Sequence, residues 1–185
     1  FMSEQYAVIL ELLNANGFLL LNENERYDSI CSLGGDWEDL ISLINEKSAF
    51  VTKLINGKTT LISKEVLHAF MSIESEEYVP TELEERIMNF LKEHKAASSK
   101  TLQSYLNVTS RDLNASLKNL SNRFLVTVIG EDMRLNESWG TYLYGLLDPK
   151  EPSGSGESPQ SILETAFRRA MSMKKLSKLT GRKIE

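Results

Sequence analysis

Apolar residues recur at helical spacing at the start of the chain, where Tyr6, Ile9, Leu10 and Leu13 share one face. Asn16-Gly17 follows, two residue types that tolerate positive φ, so the pattern predicts a helix that ends there. A short buried strand is expected over residues 18–21, then a polar loop over 22–27. Gly34-Gly35-Asp36 offers an N-cap to a helix bearing Trp37, Leu40, Ile41 and Ile44. Residues 49–55 and 58–62 are β-rich runs joined by Asn56-Gly57, the pair favoured where both central residues of a hairpin turn need positive φ. Ser63 then caps a helix carrying Val66, Leu67, Phe70 and Met71.

Residues 74–80 are acidic and end in a proline, which marks a boundary. Beyond it, Thr81-Glu82-Leu83-Glu84 fits a capping box, and Leu83, Ile87, Phe90 and Leu91 form the stripe of a helix running to about His94. A short helix from Ser99 with Leu102, Tyr105 and Leu106, a turn at Asn107-Val108 and a longer helix capped by Thr109 come next. Residues 125–129 alternate into a strand, Gly130-Glu131-Asp132 is expected to turn it, and 133–136 with 139–144 to return it. Short helix, tight turn, longer helix and hairpin together describe a winged helix-turn-helix.

The predicted class is therefore α+β, with four parts. An N-terminal α+β unit containing a hairpin occupies residues 1–78, and a winged helix domain occupies 79–148. A flexible Pro/Ser/Gly-rich linker spans 149–159. A C-terminal helical segment, 160–185, starts from Ser158-Pro159. Its Lys174-Lys175-Leu176 echoes Lys100-Thr101-Leu102, which leaves open a partial second winged helix.

Composition changes this picture little. The 185 residues are 41% hydrophobic and 25% charged, with one cysteine, Cys31, so no intrachain disulfide can form and a reducing cytoplasm is the expected compartment. No apolar run approaches the roughly 20 residues that cross a bilayer, and no basic leader precedes the first one. Met2 reads as the native start. Charge matters more. Residues 1–80 hold 5 Lys and Arg against 13 Asp and Glu, residues 81–150 hold 9 against 9, and residues 151–185 hold 7 against 4. A chain of net charge −5 repels nucleic acid on average, yet binding depends on the field at one face.

Two groups of cations bear on that. On the long helix of the winged unit, Arg111, Asn114, Lys118 and Asn122 recur at spacings of three and four, opposite the leucines, and Ser110 beside Arg111 is counted with them as a DNA-binding candidate. These types reach phosphates and base edges from a recognition helix; an ordinary solvated face is the alternative. In the hairpin, Arg134 can touch a phosphate, although Glu131, Asp132 and Glu137 beside it oppose DNA. At the C-terminus, Arg168, Arg169, Lys174, Lys175, Lys178, Arg182 and Lys183 form a phosphate-tracking patch if they share a face, or the solubilising side of a helix pair if they do not.

No metal or cofactor is expected. His68, His94 and Cys31 lack ligand spacing, and Ser172 with Lys175 matches a Ser-x-x-Lys element without its companion motifs. Gly34-Gly35 and residues 153–156 fit no nucleotide-binding fingerprint. Trp139, Tyr142 and Tyr144 are expected in the hairpin core.

Residues 16–21, the hairpin running into 62–67, the winged helix ending in Glu137-Ser138-Trp139-Gly140-Thr141-Tyr142, and 162–181 together resemble small proteins related to the AlkZ-type winged-helix DNA glycosylases. The resemblance implies winged helices forming a concave DNA-binding surface and, in active members, metal-free base excision from a Gln-x-Gln or Gln-x-Asp motif. Gln5, Gln103 and Gln160 are followed by Tyr6-Ala7, Ser104-Tyr105 and Ser161-Ile162, so none supplies that motif. Three readings follow: a non-catalytic protein binding double-stranded DNA, which is preferred, a module docking a protein partner, and a divergent glycosylase.

Overall fold

The computed structural model describes residues 3–148 and 156–184. The first helix, α1 (Glu4–Asn16), starts where the Ser3 side chain accepts from the Tyr6 amide and stops at Gly17, whose φ is 87°. A side chain at Gly17 would also meet Ala166 at 2.7 Å, so this glycine serves both a left-handed turn and the close approach of a later helix. After β1 (Phe18–Leu20), Asp36 and Asp39 form a reciprocal capping box for α2 (Trp37–Asn45). The strands β2 (Ala49–Ile55) and β3 (Lys58–Ser63) are joined by Asn56 and Gly57, with φ of 52° and 73°, as the hairpin signal requires. Ser63 caps α3 (Lys64–Ser72). The strands form an antiparallel sheet in the order β1-β3-β2.

The second unit repeats this plan. It runs α4 (Glu82–His94), β4 (Ala97–Ser98), α5 (Ser99–Leu106), α6 (Ser110–Asn122), β5 (Val126–Asn136), β6 (Trp139–Leu146). Its sheet is also antiparallel, in the order β4-β6-β5. In both units a short strand after the first helix pairs with the second strand of a later hairpin. The two-residue β4 is too short to read from periodicity.

The hairpin corrects the sequence reading. Gly130-Glu131-Asp132 is no turn: β5 runs through it with register shifts between Val128 and Gly130 and again between Glu131 and Met133. The reversal falls at Glu137-Ser138, where the Asn136 side chain accepts from the Ser138 amide. The glycine flanks a register shift in the ladder instead of turning the chain.

The C-terminal helices α7 (Pro159–Phe167) and α8 (Met173–Thr180) complete the N-terminal core. Leu163, Ala166, Phe167, Leu176 and Ile184 join Phe18, Phe70 and Ile62, with Phe124 reaching in from the second unit. Phe167 stacks on Phe18 at 5.3 Å. The second helix of this pair, α8, and α5 share a serine cap, Ser172 or Ser98, and a left-handed end, Gly181 or Asn107. The Ser172–Lys175 spacing is that cap, the serine oxygen accepting from the Lys175 amide. Of the expected linker, residues 149–155 lie outside the described residues. No helix of the described residues is long and apolar enough to cross a membrane.

Candidate nucleic-acid interface

Leu113, Leu117 and Leu120 turn α6 toward the core of its unit, so the opposite row is 111, 114, 118 and 122. The helix is fixed in rotation by a buried carboxylate. Glu84, 2% exposed, accepts from the Tyr78 hydroxyl at 2.5 Å, the Thr81 amide at 3.0 Å and the Asn119 amide at 2.7 Å. Burial would raise its pKa, but these three donors hold it below the ordinary glutamate range. Burial and the same carboxylate push the Tyr78 phenol up to about 12. The Arg123 guanidinium lies 3.9 Å over the Tyr78 ring, closing the network from the end of α6.

The row does not behave uniformly along its length. Ser110, Arg111 and Asn114 are exposed on the first turns, with the Asn114 amide directed at Ser110 Oγ at 3.4 Å. Lys118, one turn on, is exposed but lies beside the first unit's hairpin: its Nζ is 3.1 Å from where a Cβ on Gly57 would stand. Asn122, at the far end, is 3% exposed, and its Oδ1 accepts from the Lys53 amide at 2.8 Å. Grouping Asn122 with a solvated stripe is therefore corrected. Helical spacing fixes which residues share a row, not where a second unit covers it.

Between α6 and β2 lies a cleft of about 400 Å³ lined by Lys53, Gly57, Asn114, Lys118, Tyr142 and Tyr144 among others. Lys53 was not singled out by sequence, because a lysine inside a β-run carries no signal of what faces it. Its Nζ donates to Thr59 Oγ1 at 2.7 Å. Burial, and then the neighbouring Lys118 charge, hold its pKa below the usual lysine range. Among the described residues neither ammonium has an ion-pair partner. Tyr142 and Tyr144 are half-buried at this seam, not wholly in a hairpin core. Burial pushes the Tyr144 phenol up to about 12 and, with Tyr144 adding to it, raises that of Tyr142 as well.

Arg134 faces elsewhere. Its guanidinium pairs with Glu131 at 2.6 Å and Glu38 at 3.4 Å, and Glu131 also accepts from the Trp37 indole. Trp37 stacks on Tyr142, docking the hairpin against α2. A phosphate at Arg134 would have to displace two carboxylates. Trp139, expected in the core, is 53% exposed, beside exposed Met133 and Leu135.

The C-terminal cations divide. Arg182 donates to the Ile73 carbonyl at 3.2 Å, and Lys183 pairs with Glu74 at 3.0 Å, stapling the tail to the first unit. Arg169 lies 4.7 Å over the Phe18 ring. Arg168, Lys174, Lys175 and Lys178 are exposed, the three lysines on adjoining turns of α8. Among the described residues no group of three or more His, Cys, Asp or Glu side chains could hold a metal ion.

No curated protein and no solved structure matches the chain. The model of one family, described as AlkZ related, matches residues 5–150, which spans the first unit, the second unit and the cleft between them. The chain belongs to the AlkZ-related family.

Proposed function

We propose that this protein binds double-stranded DNA without cutting or excising, and that residues 79–148 are a winged helix presenting α6 to the duplex. The observation that carries the reading is the exposed row Arg111, Asn114 and Lys118 on a helix whose rotation is fixed by the Glu84 network. Guanidinium, amide and ammonium groups along one helix face suit phosphates and base edges. Membership in the AlkZ-related family supports a DNA-related role, and the lack of Gln-x-Gln or Gln-x-Asp at Gln5, Gln103 and Gln160 supports a non-catalytic one. The exposed lysines of α8 would add non-specific attraction. No cofactor enters this reading.

The test is fluorescence anisotropy of a labelled duplex at low and near-physiological salt, comparing wild type with the Arg111→Ala/Lys118→Ala variant. Salt-sensitive binding that weakens in the variant supports the reading, and no binding at low salt ends it. The exposed Met133, Leu135 and Trp139 favour a second reading, a hairpin that docks a protein partner.

A further inference from the structure

We infer that Lys53 and Lys118 together form a phosphate site that belongs to both units, so that the N-terminal unit grips the nucleic-acid backbone while α6 reads the strand beside it. The inference rests on the DNA-binding reading for its ligand and on the cleft for its geometry.

Two lysines line this cleft from different parts of the fold, Lys53 from β2 and Lys118 from α6, close enough for the Lys118 charge to act on Lys53, whose Nζ also donates to Thr59 Oγ1. In a chain with more carboxylates than cations, 26 against 21, neither has a carboxylate partner among the described residues. Two like charges in a part-buried cleft repel, and an anion between them removes that repulsion. The Gly57 turn lies against Lys118, whose Nζ is 3.1 Å from where a Cβ there would stand. Asn114 lines the same cleft and offers an amide donor, while Ser121 offers a hydroxyl. The cleft holds about 400 Å³, room for a phosphodiester group and not for a duplex. The Asn122 to Lys53 hydrogen bond ties the two walls together, so the site is formed before ligand arrives.

Two arms test this with the full chain. In the first, inorganic phosphate is titrated at constant ionic strength while lysine side-chain NMR signals are followed in wild type, Lys53→Gln and Lys118→Gln. Joint, saturable movement of the Lys53 and Lys118 signals that either substitution abolishes is expected; no saturable movement overturns the site. In the second, the salt slope of duplex binding is measured for Lys53→Gln, with circular dichroism confirming the fold. A slope lower by about one supports the inference. Duplex binding with an unchanged slope overturns the inference and leaves the DNA reading standing. Phosphate binding without duplex binding overturns the DNA reading, and with it the backbone as the ligand.

Discussion

Replacing Glu84 with alanine removes the one acceptor shared by Tyr78, Thr81 and Asn119. The Asn119 amide keeps the Tyr78 oxygen at 2.7 Å as an alternative, and the exposed Thr81 backbone can turn to water. The Tyr78 hydroxyl loses its acceptor, and the capping box keeps only its Thr81 half. The Thr81 hydroxyl still caps the helix through the residue 84 amide, so the main cost is the unsatisfied Tyr78 donor, about 1–3 kcal/mol, and the variant should lose about 2 kcal/mol. In urea that is a midpoint shift of about 1–2 M at unchanged slope. Glu84→Gln keeps one oxygen acceptor and should lose about half as much. The folded carboxyl has a lowered pKa, so its contribution is fully present above the unfolded value of about 4.3 and disappears as pH falls through the folded one. The gap between wild type and Glu84→Gln should therefore narrow from pH 5 downward. A Glu84→Ala midpoint indistinguishable from wild type, or a gap that ignores pH, would refute the reasoning.

Asn122→Ala leaves the Lys53 amide on an edge strand without its acceptor and should cost about 1–2 kcal/mol in urea unfolding; loss of duplex binding with unchanged stability would contradict this placement. Phe167→Ala empties the stack against Phe18 and Phe70, and a single cooperative transition weakened by about 3–5 kcal/mol is expected. Separate melting of a tail with the rest unchanged would show that α7 is not part of that core. Arg134→Ala should leave the salt slope of duplex binding unchanged, because Glu38 and Glu131 already hold the guanidinium; a lower slope would assign it a phosphate.

Local signals were legible because they are written in adjacent residues. Asp36, Ser63, Thr81, Thr109 and Ser158 all cap where their side chains and spacing predict. Asn56-Gly57 makes its turn. What was not legible is set by partners far along the chain. Gly130 reads as a turn residue, yet pairing with β6 carries the strand through it. Asn122 reads as the end of a polar stripe, yet the stripe runs under β2. Lys53 reads as a strand residue, and only the docking of two units sets it beside Lys118. The sequence leaves open whether the tail cations share a face, and Arg182 and Lys183 are in fact occupied by the segment at 73–74.

The most direct test of the account is the slope of log affinity against log salt for a labelled duplex, in wild type and the Arg111→Ala/Lys118→Ala variant. Each phosphate contact contributes about 0.9 to that slope, so the account predicts a variant slope lower by about 2 if both cations meet phosphates. Equal slopes in the two proteins, or no salt-sensitive binding in wild type, would contradict it.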